Sequence, residues 1–364
     1  MNNHYKLNIH ESFMSRALEL AKKGVGLVSP NPLVGCILVK DGKIIGEGYH
    51  EKFGHSHAEI NALKNSTEDP LDATAYITLE PCCIDGKTPP CTKALVENGI
   101  KEVYISMLDP NPKVNGQGVA KLQQSGIKVY VGILEEESKF INRAFTKWIT
   151  TRMPLVIAKV AQSKDGYIGI NSDTSVWLTG EESRIHTHKL RSNVDGVMVG
   201  KNTALIDNPQ LTVRKVAGYN PARIIMDTNR TLPLNLNIFQ DNKAETIIMC
   251  SNDRFNKTNT TFCKYIPVKE EHGLLSIKET LKLLAEDGIM SILVEGGYKL
   301  LTSFQDKNLI DEIYIYTSSE KLINGNMPNP IFISDKWNIR ENHYLGFDNL
   351  IVADKNKVEC LLES

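Results

Sequence analysis

Two short segments supply one imidazole, two or three thiols and a carboxylate, and this combination constrains the fold of the chain more than any other feature. One is His-Ala-Glu at 57–59, and the other is Pro-Cys-Cys at 81–83, followed by Pro-Pro-Cys at 89–91. Catalytic zinc usually takes three protein ligands and leaves its fourth position to water, whose pKa falls from about 15.7 to about 7. His57, Cys82 and Cys91 can fill the three protein positions.

Each segment also has a local structural tendency. His57 and Glu59 open a helical pattern over 57–64, so we expect both in its first turn, aimed at the site. Cys91 follows two prolines and opens a second helical run over 91–98. A thiol at a helix N-terminus is easier to deprotonate for metal binding.

A purely structural interpretation competes for each of these residues. Ser56 and Glu59 have the spacing of a capping box, and free cysteines are often just buried apolar side chains. As a set, however, a His, a Glu two residues later, a Pro-Cys and a later Cys match the signature of zinc deaminases, in which the Glu transfers protons. The later cysteine lies nine residues after Cys82 rather than three, and this insertion reduces the number of zinc-deaminase families that the chain can belong to.

The insertion is one of several linked motifs. It contains Gly-Lys-Thr-Pro-Pro at 86–90, and Ser-Pro-Asn-Pro-Leu-Val-Gly at 29–35 precedes it, while Asp-Pro-Asn-Pro at 109–112, Gly116 and Gly118 follow it. With these motifs the chain resembles, over nearly its whole length, the bifunctional pyrimidine deaminase/reductase family of riboflavin biosynthesis. The resemblance implies an α/β fold class: an N-terminal cytidine-deaminase-like three-layer domain followed by a dihydrofolate-reductase-like domain.

In the first domain the resemblance implies a zinc site and a substrate site. The implied Zn²⁺ ligands are His57, Cys82 and Cys91. Glu59 is implied to be the general acid and base. The residues implied to hold the pyrimidine and its phosphate are Asn31, His50 and Lys87. For His50 and Lys87 the alternative is an ordinary solvated loop residue. Cys83 stands where Ser or a similar residue is more usual, so a ligand exchange between the two cysteines remains an alternative.

In the second half, Leu-Val-Glu-Gly-Gly at 293–297 ends a strand and enters a helical run, where glycine N–H groups can approach a phosphate. By itself, Gly-Gly after a strand is more often a tight turn. Further motifs at 175–177, 199–203 and 207–214 are similar to the reductase half of the same family, which uses NADPH. The implied cofactor-binding residues are Ala161, Trp177, Thr203, Asp207, Thr228, Gly297, Tyr298 and Lys299. The implied substrate-binding residues are Ser175, Arg191, Leu211, Arg214 and Glu295.

Lys159 and Asp207 match positions important to reduction, and both are candidate catalytic residues. Lys159 lies on an apolar strand and needs a partner, since a buried ammonium is costly. Asp207 is either that partner or a turn residue before Asn-Pro. Arg191 and Arg214 are forked donors suited to a ribose phosphate, although an isolated Arg is by default solvated. The departures from the family pattern in this half are Lys164 and Asp173.

Composition limits the remaining possibilities. The 364 residues exceed the usual length of one domain, and we place the boundary near residue 150, giving a deaminase domain over 1–150 and a reductase domain over 151–364. The formal net charge of −1 shows no basic excess, which favours a small-molecule substrate over a nucleic-acid partner. No apolar run approaches the about 18 to 20 residues that span a bilayer. Seven cysteines and no signal-peptide core predict a cytoplasmic protein. The family resemblance also implies that the chain forms a homo-oligomer through its reductase domain.

Strand and helix patterns alternate in both domains, which predicts largely parallel sheets covered by helices. The first domain shows helix 11–23, a hairpin over 33–49 turning at Asp41-Gly42, helix 57–64, strand 74–79, helix 91–98, strand 101–107, helix 116–125, strand 127–131 and helix 135–148. Strand and helix patterns in the second domain cover 155–160, 194–200, 222–226, 246–250, 276–284, 291–294 and 312–317. Residues 252–263 are expected to form a surface loop, and nothing is predicted after Asp335.

The predicted reaction has two steps. Zinc-activated water replaces the amino group at C2 of 2,5-diamino-6-(5-phosphoribosylamino)pyrimidin-4-one, and ammonia leaves. NADPH then reduces C1′ of the ring-opened ribosyl chain, giving 5-amino-6-(5-phosphoribitylamino)uracil. Two alternatives remain at this point: a nucleoside or tRNA deaminase with an unrelated appended domain, and a binding or regulatory protein whose reductase half has decayed.

Overall fold

The computed structural model describes residues 8–84, 89–170, 176–256 and 263–355. The chain divides into two compact units, Met1–Arg152 and Met153–Ser364. Arg152 ends the last helix of the first unit in a left-handed conformation, with φ of 58°, and a proline follows two residues later. None of the helices in the described ranges is long and apolar enough to cross a membrane.

A sheet that has five strands in the described part of the chain lies at the centre of the first unit. The strands are β1 (Gly35–Lys40), β2 (Lys43–Tyr49), β3 (Thr74–Leu79), β4 (Glu102–Met107) and β5 (Lys128–Val131). Their order is β2-β1-β3-β4-β5, with β1 antiparallel to both neighbours and the last three strands parallel. The helices are α1 (Ile9–Ala21), α2 (Ala58–Lys64), α3 (Cys91–Glu97), α4 (Gln117–Gln124), α5 (Glu135–Ile141) and α6 (Arg143–Thr151).

Alternating residues of β1 separate two hydrophobic cores on opposite faces of this sheet. Cys36 and Leu38 join the core that α2, α3 and α4 cover. Ile37 and Val39 join the core that α1 covers. Because successive strand residues point to opposite faces, one strand serves both cores. The predicted three-layer architecture is therefore confirmed.

The turn between β1 and β2 has the conformation that its sequence predicted, whereas the helix predicted over 135–148 is wrong. The β1–β2 turn has positive φ at Asp41 (51°) and Gly42 (74°), as a two-residue hairpin favours. The single helix predicted over 135–148 is two helices, which meet at the buried Asn142. The Asn142 amide accepts the Leu33 N–H at 2.8 Å and donates to the Leu33 carbonyl at 2.9 Å. This contact, between residues far apart in the chain, holds the break in place.

In the described part of the second unit, the main sheet has nine strands in the order β11-β10-β9-β8-β14-β6-β15-β18-β17. They are β6 (Leu155–Gln162), β8 (Gly196–Gly200), β9 (Ala222–Met226), β10 (Thr246–Ser251), β11 (Lys264–Val268), β14 (Ser291–Val294), β15 (Glu312–Thr317), β17 (Trp337–Leu345) and β18 (Asp348–Lys355). The short strands are β7 (Tyr167–Gly169), β12 (Glu270–Glu271), β13 (Leu274–Leu275) and β16 (Met327–Pro328). The helices are α7 (Glu181–Ser192), α8 (Lys201–Asp207), α9 (Asn237–Gln240), α10 (Ile277–Glu286) and α11 (Tyr298–Asp306).

In the order of the sheet, the first seven strands, from β11 through β6 to β15, run parallel to one another, as predicted. The last two strands, β18 and β17, each run antiparallel to the strand before them. The β17–β18 hairpin was not predicted, because β17 is largely exposed and lacks a regular alternation of buried residues. Residues 252–254 of the predicted surface loop form a short 3₁₀ turn, and 257–262 lie outside the described residues.

Parallel strands place their carboxyl ends at one edge of a sheet, and ligands bind in open α/β sheets at that edge. In the first unit the segments after β3 and β4 begin with Glu80 and Leu108. In the second unit, the ends of β8, β9 and β14 lead into Lys201, Asp227 and Glu295. The candidate residues Cys82, Thr203, Thr228 and Glu295 therefore lie just beyond strand ends at the edge of their sheet that favours binding.

Candidate active sites

Three donor atoms meet in the first unit. The ligand atoms of His57, Cys82 and Cys91 all lie within 4.8 Å of one another. His57 Nδ1 is 3.3 Å from Cys91 Sγ and 3.6 Å from Cys82 Sγ. Tetrahedral zinc, with Zn–S of about 2.3 Å and Zn–N of about 2.0 to 2.1 Å, separates a nitrogen and a sulfur ligand by about 3.6 Å. Both the donor types and their spacing fit zinc.

Backbone structure positions these donors. His57 is the N-cap of α2, with extended φ and ψ of −72° and 166°, so the prediction that it lies in the first helical turn is wrong by one residue. Because His57 is the cap, Ser56 lies outside the helix and is not placed to form a capping box with Glu59. Cys91 is the first residue of α3, and its backbone N–H donates to Cys82 Sγ at 3.3 Å.

The two adjacent cysteines have different surroundings. Within the described ranges, the cluster of candidate metal ligands includes Cys82 and not Cys83. Hydrogen bonds from the Cys91 and His57 side chains lower the pKa of the Cys82 thiol. Burial raises the pKa of the Cys83 thiol, and the Cys83 carbonyl accepts a hydrogen bond from Lys121 Nζ at 3.3 Å. The surroundings of Cys82 therefore favour a thiolate more than those of Cys83 do.

A matched pair of variants tests this difference. We expect Cys82→Ser to weaken zinc binding by more than about 100-fold, because even changes outside the ligand shell cost about 10 to 100-fold. Cys83→Ser should keep the metal. Zinc content of each purified variant, measured by elemental analysis during stepwise chelator challenge, gives the comparison. The reverse order of zinc loss would mean that Cys83 is the ligand.

Glu59 is the carboxyl group beside the three donors. It lies in the first turn of α2 and is only 3% exposed. Burial, assisted by the neighbouring Cys82 thiolate, raises the pKa of Glu59 to about 7. A zinc ion next to it would favour the ionised form. A carboxyl group in this position can take up and release a proton near neutral pH.

His50 and Asn31 are brought together next to the zinc ligands. The Nδ1–H of His50 donates to the Ser56 carbonyl at 3.1 Å, so its Nε2 accepts from Asn31 Nδ2 at 3.0 Å. The His50 ring lies edge-on to the His57 ring, with centroids 5.6 Å apart. His50 is buried, so the solvated-loop alternative for this residue is wrong. Lys87 lies outside the described residues.

Glu80 is a further residue of this site and was not among the candidates from the sequence. Its carboxylate accepts backbone N–H groups of Asp109 at 3.1 Å, Gly116 at 2.9 Å and Val119 at 3.1 Å. A Cβ on Gly118 would lie 2.3 Å from the Pro81 carbonyl oxygen, so this loop packs tightly against the Pro-Cys segment. A Glu directly before Pro-Cys at the end of a strand was the available signal, but its partners are distant in sequence.

The second unit contains a cleft of about 1510 Å³. All candidate residues of this half that the structure describes line it: Lys159, Ala161, Trp177, Arg191, Thr203, Asp207, Leu211, Arg214, Thr228, Glu295, Gly297, Tyr298 and Lys299. Ser175 lies outside the described residues, as does Asp173.

Gly297 shows why two glycines follow β14. It is the N-cap of α11, and its φ of 60° is in the left-handed region. A Cβ there would also lie 3.2 Å from Thr203 Oγ1. The glycine therefore lets the first turn of α11 approach Thr203 on α8, and both elements line the cleft. The N-terminus of α11 is suited to a phosphate group of the cofactor.

Arg191 is paired rather than solvated. Its guanidinium makes a two-point ion pair with Glu295, including Nη2 to Oε2 at 2.8 Å, and the two side chains are 12% and 7% exposed. Arg191 Nη1 also donates to the Thr212 carbonyl at 3.2 Å. Burial acts to raise the pKa of Glu295, but the charges of Arg191 and Lys159 lower it further than burial raises it. Glu295 is therefore held as a carboxylate.

The carboxylate that affects the pKa of Lys159 is that of Glu295 and not that of Asp207. Burial lowers the pKa of the Lys159 ammonium, while Glu295 opposes that shift. Burial alone raises the pKa of Asp207. Among the residues that the structure describes, no hydrogen bond or ion pair joins Lys159 to Asp207. The interpretation of Asp207 as the partner of Lys159 is wrong; Asp207 is the last residue of α8, followed by the left-handed Asn208.

Two domain families match the chain. Residues 7–107 match the cytidine and deoxycytidylate deaminase zinc-binding region, and residues 154–333 match the RibD C-terminal domain. The riboflavin biosynthesis protein RibD of Actinobacillus pleuropneumoniae is 40% identical over 89% of this chain and 87% of its own length. The RibD protein of Aquifex aeolicus is 41% identical over 87% of this chain and 89% of its own length.

Solved structures agree with these relatives. The diaminohydroxyphosphoribosylaminopyrimidine deaminase/5-amino-6-(5-phosphoribosylamino)uracil reductase of Thermotoga maritima is 36% identical, with a TM-score of 0.85. The match covers 96% of this chain and 99% of that one. A RibD structure from Acinetobacter baumannii is 32% identical, with a TM-score of 0.85 and the same two coverages.

Proposed function

This chain belongs to the RibD family of bifunctional riboflavin-biosynthesis enzymes, and from that membership we propose which residues perform its two reactions. It is a zinc-dependent deaminase and an NADPH-dependent reductase. The observation that carries the residue assignment is a His/Cys/Cys donor cluster in the first unit, together with a cleft in the second that the candidate reductase residues line. Relatives that match both halves do not favour a deaminase with an unrelated domain or a protein with a decayed reductase half.

In the deaminase reaction, His57, Cys82 and Cys91 bind the zinc ion. When bound, zinc supplies a Lewis acid that makes water a nucleophile at neutral pH. Glu59 takes a proton from the water that adds at C2 of the diaminopyrimidine and gives it to the amino group, which leaves as ammonia. His50 and Asn31 form part of the pyrimidine site: His50 Nε2 accepts from Asn31 Nδ2, and this hydrogen bond supports the role because it orients the Asn31 amide for binding the base.

In the reductase reaction, Thr203 and the first turn of α11 bind the cofactor, and Arg191 and Arg214 bind the substrate. NADPH, when bound, supplies the hydride that C1′ of the ring-opened ribosyl imine receives. The imine nitrogen must gain a proton in the same step. We assign this proton to the Lys159 ammonium, because Lys159 lines the cleft and burial makes it a stronger acid than an ordinary lysine.

The enzyme acts on small molecules. Assembly as a homo-oligomer through the reductase unit, the absence of nucleic-acid and membrane partners and a cytoplasmic location stay predictions that rest on composition and on resemblance to the family.

The test follows the two products by mass spectrometry. We expect the zinc-loaded chain to convert 2,5-diamino-6-(5-phosphoribosylamino)pyrimidin-4-one into 5-amino-6-(5-phosphoribosylamino)uracil and ammonia without NADPH. Addition of NADPH should then yield a product that has gained two hydrogens. Deamination that NADPH does not advance would refute the reductase assignment. A chain that releases no ammonia would refute the deaminase assignment.

A further inference from the structure

His188 lies in the wall of the reductase cleft, near both arginines assigned to the substrate. It is on α7, three residues before Arg191, so the two side chains share one face of the helix. His188 is 5% exposed and lines the cleft. No sequence motif distinguishes this residue, because a histidine within a helix is by itself an ordinary residue.

The hydrogen bond that His188 makes defines the state of its ring. Its Nδ1 lies 3.2 Å from the backbone nitrogen of Arg214, which can only donate. Nδ1 is therefore the acceptor, and the neutral ring carries its proton on Nε2. Burial and the charges of Arg191 and Arg214 lower the pKa of His188 to about 4. The ring stays neutral at physiological pH, so this acceptor is always available.

The segment that carries Arg214 follows α8 and has no regular secondary structure. Leu211 within it has a φ of 53°, which is unfavourable for a residue with a side chain. Arg191 Nη1 ties the segment to α7 through the Thr212 carbonyl, at 3.2 Å. Arg214 Nη1 donates to Thr212 Oγ1 at 2.9 Å, and the His188 bond holds the Arg214 backbone itself.

We propose that His188 is a positioning residue for the reductase reaction: by accepting the Arg214 N–H, it holds the Arg214 guanidinium beside Arg191, where the two cations bind the phosphate of the substrate. Without this acceptor, a backbone N–H at the edge of the cleft loses its partner and the segment moves toward water. Arg214 would then no longer share the phosphate with Arg191. This inference rests on the proposed reductase function.

Three substitutions distinguish the effect of losing the Nδ1 acceptor from the effect of losing the volume of the ring. His188→Asn can place its side-chain oxygen near the position of Nδ1, His188→Gln carries its polar atoms further out, and His188→Leu removes them. We expect Leu and Gln to raise the KM for 5-amino-6-(5-phosphoribosylamino)uracil by about 10 to 100-fold. The kcat at saturating substrate and the Kd for NADPH should stay close to their original values. Asn should restore the KM.

The exposed His343 on β17 supplies the control, since His343→Leu also removes an imidazole from this unit and should not change the KM. Ammonia release and circular dichroism report whether each variant is folded. The inference is overturned if His188→Leu keeps the original KM, or if Asn is impaired as much as Leu. If Leu does not fold, the comparison of Asn with Gln decides the same question. An unsubstituted chain that oxidises no NADPH with this substrate would overturn the proposed reductase function, and this inference with it.

Discussion

Glu59→Gln is expected to slow ammonia release by about 10² to 10⁴-fold, which is what a general acid–base group contributes. Glutamine has nearly the same shape as glutamate, so it should fit the buried position in α2. It cannot carry a proton from water to the leaving amine. Because Glu59 is not one of the three clustered donors, the zinc content should stay unchanged. Ammonia release and metal content are measured on the same preparation.

Glu97→Gln is the matched control for this experiment. Glu97 is the last residue of α3, its side chain is 61% exposed, and within the described residues its one ion pair is the surface pair with Lys93 at 3.7 Å. We expect its deaminase activity to equal that of the unsubstituted chain. Near-normal turnover by Glu59→Gln would refute the proton-transfer role. Loss of zinc together with activity would instead assign Glu59 to the metal site.

The second large effect is expected for Lys159→Met. Methionine keeps an unbranched side chain within β6 but removes the ammonium that we propose as the proton donor. NADPH oxidation with the amino-uracil substrate should slow by about 10² to 10⁴-fold. Ammonia release should be unaffected, because the zinc cluster lies in the other compact unit. The absorbance of NADPH and a separate ammonia assay give the two rates.

Lys189→Met, at an exposed position on α7, is the corresponding control and should retain both activities. NADPH fluorescence shows whether the Lys159 variant still binds its cofactor, so that slow chemistry can be distinguished from lost binding. Simultaneous loss of both activities would contradict separate sites. A normal rate of NADPH oxidation would remove Lys159 from the reaction.

Much of the fold was predictable because its signals are local. Three strands of the second unit, at 222–226, 291–294 and 312–317, occupy the predicted residues. Strand signals of this kind depend on runs of apolar, β-branched and aromatic residues within a few positions. β17 lacks such a pattern because it is largely exposed, and it pairs only with β18, which in turn pairs with β15.

In the two sites as well, local sequence signals indicated some features and tertiary contacts decided the others. The residue types of the zinc motif indicated the chemistry, because few side chains bind zinc and their spacing is short. The sequence could not choose between Cys82 and Cys83, since adjacent residues have nearly equal spacing to His57 and Cys91. Their three-dimensional surroundings differ, and only Cys82 contacts the other two donors within the described residues.

The sequence by itself determined the family, the two chemistries and the alternation of strands and helices. Tertiary structure alone decided that Asn142 divides a helix and that the Glu80 carboxylate binds the loop after β4. It also decided that Glu295 rather than Asp207 shifts the pKa of Lys159, and that His188 accepts a hydrogen bond from the Arg214 N–H. Each of these contacts joins a polar group to a partner between 26 and 136 positions away. A periodic pattern reports which face of an element is apolar, but it carries no information about which distant polar group that element will meet.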